Sequence, residues 1–313
     1  MKKIILILFF FTTITTAQDY VDILKVSYGN SFNHSFEGFT DEMNIKSLDA
    51  DFTYPIVIDE NNAIITGFLH SNNNLQLFPD SFLTQNPLAP QSLSKRINLY
   101  STVLKIGLAT NFNEKWSGTF VVLPNLSSDY KDISSDDLYL GGVAVIKYQK
   151  NEHLKYRLGI YAMDQAYGIF TTPILGFYYL SPNERLEVDA SLPISADVNY
   201  RFENWAVGVD YFGIGRSFDI HQENTPDYYV DYGSLDFSIY AQYAMLEKSI
   251  LLRGKLGYSD IDAEAYEDGD NIDLRISAFD FGSERTQLNP INSGGIFAKV
   301  EVLYRFNLSK VDK

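Results

Sequence analysis

The chain has 313 residues, 25 lysines and arginines against 40 aspartates and glutamates, and a formal charge of −15. Such acidity argues against nucleic acid as a partner. With no cysteine at all, a disulfide scaffold and an N-terminal lipoprotein anchor are both excluded.

The chain opens MKKIILILFFFTTITTAQ. Lys2 and Lys3 form a positive n-region, Ile4 to Phe11 an apolar core, and the small residues before Gln18 a cleavage site, the layout of a secretory signal peptide. The apolar core is far shorter than the roughly 20 residues a spanning helix needs. A leader over 1–17, cleaved after Ala17, and a single domain over 18–313 are expected. Removing the leader takes away Lys2 and Lys3 and no acid, which leaves 23 basic residues and a formal charge of −17. No later segment is a long apolar run, so if the chain crosses a membrane it does so as a β-barrel, because only helices and closed barrels satisfy their backbone in lipid.

Period-2 alternation recurs along the whole chain. In IKSLDADFTY, Leu48, Ala50, Phe52 and Tyr54 alternate with Ser47, Asp49, Asp51 and Thr53. LKYRLGIYA sets Leu154, Tyr156, Leu158 and Ile160 against Lys155, Arg157 and Gly159. ERLEVDASLPISADVNYRF sets Leu186, Val188, Ala190, Val198, Tyr200 and Phe202 against Arg185, Glu187, Asp189, Asp197, Asn199 and Arg201. The same holds at GSLDFSIYAQYAM, SILLRGKLGY and GIFAKVEVLYRF. A strand sends successive side chains to opposite faces, so each segment has one oily and one polar face. Strands are predicted near 20–29, 44–58, 62–71, 96–110, 115–125, 137–149, 154–164, 168–180, 184–191, 196–202, 204–218, 229–245, 249–259 and 294–306.

Short polar turns (59–62, 111–115, 150–153, 181–184, 202–204, 246–248) suit tight hairpins. Longer connections fall at 30–42, 72–95, 126–136, 164–168, 219–230 and 260–293. A further tight turn at 192–195, where Pro193 removes a ladder donor, makes short and long connections alternate. The fold class is then an all-β, antiparallel, up-and-down transmembrane β-barrel of about 14 strands; merging the strands around Pro193 and dropping the first would give 12. Even strand number, segregated loops and aromatic residues at strand ends (Tyr54, Tyr148, Tyr156, Tyr200, Phe202, Tyr243, Tyr258, Tyr304, Phe306) are the outer-membrane pattern. The oily faces are expected to look outward to lipid. A secreted soluble β-sandwich, with the oily faces inward, is the alternative.

The run from Leu154 to Phe202, with its "KYR-Leu-Gly" strand, its Pro-Ile-Leu-Gly strand, SPN and the LP…Y-R-F pair, resembles a family of functionally uncharacterised outer-membrane β-barrel proteins common in Bacteroidota-type Gram-negative bacteria. The resemblance implies an outer-membrane barrel; it supplies no activity and no catalytic residues.

The candidate site is the set of lumen-lining charges: Arg185, Glu187, Asp189, Asp197 and Arg201, with Lys155 and Arg157 a few strands away, and Lys299, Glu301 and Arg305 on the closing strand beside Asp22 and Lys25. Opposed rows of acids and bases tune which solutes pass a pore; interleaved acids and bases instead pair and stiffen the lumen. The acidic stretch SDIDAEAYEDGDNID (259–273) reads as a solvated loop, since Ala265 stands where an EF-hand frame from Asp260 needs glycine. His34, His70, His153 and His221 show no metal spacing and read as loop or turn residues. The glycines of YFGIGRS (211–217) read as places where aromatic neighbours need room. No enzyme and no cofactor are expected. The leading expectation is a porin-like channel or transporter for small polar solutes, with a closed-lumen structural or surface-interaction barrel as the alternative. Partners are outer-membrane lipid and lipopolysaccharide, and the barrel-assembly machinery during insertion.

Overall fold

A computed structural model describes residues 20–85, 96–221 and 227–307; the leader and its cleavage site lie outside the described residues. The strands in chain order are β1 (Tyr20–Phe36), β2 (Glu42–Val57), β3 (Asn62–Gln76), β4 (Arg96–Asn111), β5 (Trp116–Ser128), β6 (Leu138–Asn151), β7 (Leu154–Gln165), β8 (Gly168–Leu180), β9 (Leu186–Leu192), β10 (Ser195–Arg201), β11 (Trp205–Ile220), β12 (Tyr228–Met245), β13 (Ile250–Glu267), β14 (Leu274–Ile276), β15 (Phe279–Phe281) and β16 (Ile291–Asn307), with one short helix, α1 (Asp80–Gln85). Each strand from β1 to β12 pairs antiparallel with the next, β13 pairs with β16, and β16 closes on β1. The protein is a closed, antiparallel, 14-stranded barrel; β14 and β15 form a small extra hairpin on the edge of β8.

The 12-strand alternative is overturned at Pro193. Ser191 pairs with Ser195 and Ile194 N donates to Ser191 O at 2.9 Å, so 192–195 is a tight turn between β9 and β10.

Several expected loops are strand instead. Residues 30–36, 72–76 and 260–267 continue β1, β3 and β13, so Asp260, Asp262, Glu264 and Glu267 belong to a ladder. The connection at 164–168 is a tight turn around Ala166 and Tyr167. The reason is a change in the sense of the alternation. On β12, Leu235, Phe237 and Ile239 are exposed on the outer face while Ser234, Asp236 and Ser238 point inward; beyond them Tyr228, Val230 and Tyr232 are buried inside. On β13, Leu252, Leu256 and Tyr258 face out, then Asp260 and Asp262 take the outer face over buried Ile261, Ala263 and Ala265. β2 and β4 switch likewise, at Leu48 and at Val103. Below the switch, toward the short turns, the barrel is oily outside and charged inside. Above it, the same strands are polar outside and oily inside.

The upper interior is a hydrophobic core in which Phe36, Ile45, Leu75, Leu99, Phe218, Val230 and Ile261 pack, with Leu77 and Phe78 from the β3–α1 connection folded in among them. Burying such side chains contributes about 1.5–3 kcal/mol each. Across this end β11 touches β5: Asp129 N donates to Asp219 O at 3.0 Å, and the Ser127 hydroxyl donates to Ser217 O at 2.6 Å. The long-loop end of the barrel is therefore stoppered.

Candidate functional site: the charged lumen

The lower lumen is built from inward positions of β1, β2, β4, β6–β13 and β16. A bulge between Asp22 and Leu24 puts both Asp22 and Lys25 on the inside despite their opposite parity. Toward the short turns, Glu187 is almost wholly buried and accepts from Tyr20 Oη and Tyr178 Oη at 2.8 Å and from Asn199 Nδ2 at 3.0 Å, and pairs with Arg201. Tyr20 stands on β1 and Glu187 on β9, so this contact crosses the lumen. Arg305 lies over the Tyr20 ring at 3.4 Å and holds Asp22 at 2.6 and 2.9 Å. Glu187, with this many donors, is fixed in place by charge-assisted hydrogen bonds.

Higher up, Arg253 lies 3.6 Å from both Asp197 and Glu301 and stacks 4.2 Å over Tyr240, whose hydroxyl donates to Asp197 at 2.8 Å. Gly208 makes this possible, because a Cβ there would meet the Tyr240 ring at 2.5 Å. Lys255 pairs with Asp210 and reaches Glu301 at 3.1 Å, Lys299 lies 3.5 Å from Asp236, and Lys105 2.5 Å from Asp51. Arg157 bridges to Asp189 at 2.7 Å.

Two cavities of about 330 and 380 Å³ run through this region and share Lys25, Asp51, Asp197 and Arg253 on their walls. A third, of about 630 Å³, opens among the short turns, with Lys147 and Lys155 on its inner wall and Asp59, Glu60, Glu114 and Lys115 on its turns. Among the described residues, Lys25, Lys147, Lys155 and Arg216 have no carboxylate within 4.0 Å; of the inward acids, Asp22, Asp51, Glu187, Asp189, Asp197, Asp210, Asp236 and Glu301 each have a basic partner, and Asp49, on the wall of the 330 Å³ cavity, has none within that distance. The lumen wall of a strongly acidic protein thus carries uncompensated positive charge.

Of the residues picked from the sequence, Glu187, Asp197, Arg201, Glu301 and Arg305 meet in this network, while Arg157 with Asp189 and Lys299 with Asp236 form separate pairs on the same wall. Lys155 lines the mouth cavity. Arg185 lies apart: it is exposed in the turn before β9, where its carbonyl accepts from Arg201 N at 2.7 Å. Sequence reasoning passed over Arg253, Lys255, Asp210, Asp236 and Lys105. All stand on the polar phase of the same alternation, so parity alone marks them. The histidines correct a second expectation: His34 is fully buried on β1 and His70 is on β3, its Nδ1 2.8 Å from the Thr102 hydroxyl. Of the YFGIGRS glycines, Gly213 does lie against Tyr211 Oη, but Gly215 faces open space.

A barrel with an apolar outer belt and a polar, partly hydrated interior is the architecture of bacterial outer-membrane barrels. Within that class the chain belongs to a family described as a domain of unknown function (DUF6268), which matches residues 84–270. No curated protein matches the sequence. Among solved structures, the toluene transporter TodX of P. putida is 13% identical over 92% of this chain and 90% of its own, with a TM-score of 0.38. The toluene transporter TbuX of Ralstonia pickettii is 12% identical over 91% and 90%, also at 0.38, and the NanC porin 10% identical over 90% and 98%, at 0.35.

Proposed function

We propose that the protein is an outer-membrane channel or transporter for small polar solutes, exported by a leader over 1–17 and folded as one barrel over 18–313. The observation that carries this reading is the inside-out lower half: Leu256, Ile239 and Ile296 are 60, 63 and 60% exposed on the outer face, while Glu187 and Glu301 are each 3% exposed within. In water that arrangement is unfavourable; in lipid it is required. The location accords with the Gram-negative, Bacteroidota-type family that residues 154–202 resemble. The unpaired Lys25, Lys147 and Lys155 favour solutes carrying an anionic group, since rings of Lys and Arg select anions. The folded protein in planar bilayers under a salt gradient tests both points. Anion-selective current is expected, and no current from protein that still shows the heat-dependent gel shift of a folded barrel would sink the channel reading. The apolar stopper at the long-loop end favours a second reading, a closed-lumen barrel that acts through its surface, and silence in that experiment is its signature.

A further inference from the structure

The wall of the barrel is incomplete on one side. β9 and β10 have seven residues each, against 13 in β8 and 16 in β11. β8 is paired with β9 only as far as Leu175, and β11 with β10 only as far as Phe212. Above those points, Gly168–Ile174 of β8 and Gly213–Ile220 of β11 face a notch with no barrel strand between them. The free edge of β11 is satisfied piecemeal: Gly213 N donates to Ile194 O at 2.8 Å and Ser217 N to Gln165 Oε1 at 2.7 Å.

The β14–β15 hairpin hangs in that notch. It adds to the free edge of β8 through Arg275 beside Phe170 and Ile276 beside Thr171, and its turn is fixed by Ser277 N donating to Thr171 O at 2.9 Å and by the Ser277 and Thr172 hydroxyls 2.7 Å apart. The hairpin is two-faced. Leu274, Ile276, Phe279 and Phe281 share one face, on which Phe279 and Phe281 are 69 and 51% exposed. Arg275 and Asp280 share the other, where Arg275 reaches Asp231 of β12 at 2.8 and 3.0 Å and Arg285 reaches the same carboxylate at 3.0 Å. The hairpin itself is attached by short polar contacts and by Arg275 stacked 4.3 Å over Tyr167, while Ile272 just before it is rooted in an apolar cluster with Tyr167, Tyr229 and Tyr266. Immediately inside the notch lie Phe212, 42% exposed although it points inward, then Ile214 and Arg216, all on the wall of the 330 Å³ cavity. At Gly215 an added Cβ would meet nothing within 4 Å.

We propose that the β14–β15 hairpin is a flap over a side opening at the upper edge of the oily belt, where Gly213 at the lower corner of the notch pairs with Leu235, and that small anionic amphiphiles pass through it between the lumen cavity and the bilayer. With the long-loop end stoppered, the notch is the thin part of the wall. Lys25 and Arg216 suit the anionic head, and Phe212 and Ile214 the apolar part. The proposal rests on the membrane placement given above.

The chain has no cysteine, so Thr172→Cys with Ser277→Cys locks the flap by oxidation and frees it by reduction in one and the same protein. The reporter is Phe212→Trp, with Trp116→Phe and Trp205→Phe to remove the native signal, in vesicles of phosphatidylcholine brominated on its acyl chains. In reduced protein the new Trp is expected to lose most of its emission to the brominated lipid. Oxidation is expected to restore that emission, and reduction to remove it again. Emission that ignores the oxidation state, whether strongly or weakly quenched, overturns the flap. The unmodified protein supplies the control on placement: Trp116 and Trp205, 45 and 56% exposed on the outer face, must be quenched by the same lipid. If they are not, the membrane reading itself fails and the flap fails with it.

Discussion

The two halves of the barrel use one set of strands in opposite senses. On β13, Leu252 to Tyr258 put apolar residues out and Arg253 and Lys255 in; from Asp260 onward, Asp260 and Asp262 face out and Ile261, Ala263 and Ala265 face in. The strand keeps its period of two and exchanges the chemistry of its faces. On the proposed placement the surroundings differ, lipid below and water above, and the interior matches: a charge network lined by cavities where the outside is oily, a packed apolar core where the outside is polar. The upper half is in effect a small soluble β-core set on a membrane barrel.

That comparison is open to attack from either side. In the upper half, Phe218→Ala should cost about 3–5 kcal/mol, the usual penalty for emptying a fully buried aromatic site, because Phe218 is 0% exposed in the stopper. Denaturant unfolding in vesicles measures the loss, and bilayer current should rise in the same variant as the stopper loosens. A loss below about 0.5 kcal/mol would mean the upper interior is not a packed core. In the lower half, Glu187→Gln should cost about 3 kcal/mol, since it leaves Arg201 uncompensated among Tyr20 and Arg305. It should also shift the channel toward stronger anion selectivity, whereas unchanged selectivity would place Glu187 outside the conducting path.

A smaller effect separates the wet outer collar from both. His221 follows β11, with its Nε2 2.8 Å from buried Asp137 and with Asp129 and Asp219 nearby. Burial lowers its pKa, but the hydrogen bond and charge of Asp137 outweigh that and raise it above the ordinary histidine value. A raised folded pKa stabilises fully below the unfolded value, near pH 6.5, and the gain is lost as pH rises through the folded pKa. His221→Gln should therefore lose stability relative to the parent at acid pH and match it well above neutrality. A difference independent of pH would show that His221 does not titrate against Asp137.

Much of this was legible in the sequence. Fourteen strands, the turn at Pro193 and the outward oily faces follow from period, turn chemistry and the cost of a proline inside a ladder. The upper half is hidden because the oily-outside pattern stops at Asn30, Asn72 and Asp260, where the alternation continues with its faces exchanged. The lumen pairs were visible by parity, but which acid meets which base depends on strand tilt and the bulge at Asp22. No local signal in LRISAFDF (274–281) ties that hairpin to β8, a contact about 100 residues away.

The measurement that tests the central claim most directly is the unfolding free energy of Leu256→Arg in vesicles. Leu256 is 60% exposed in the middle of the outer belt of β13. If that face meets lipid, the arginine costs about 2–4 kcal/mol, as charges do at the midplane of a barrel's outer wall. If the face meets water, the change stays within about 0.5 kcal/mol, as for an ordinary surface substitution, and the inside-out lower half is contradicted.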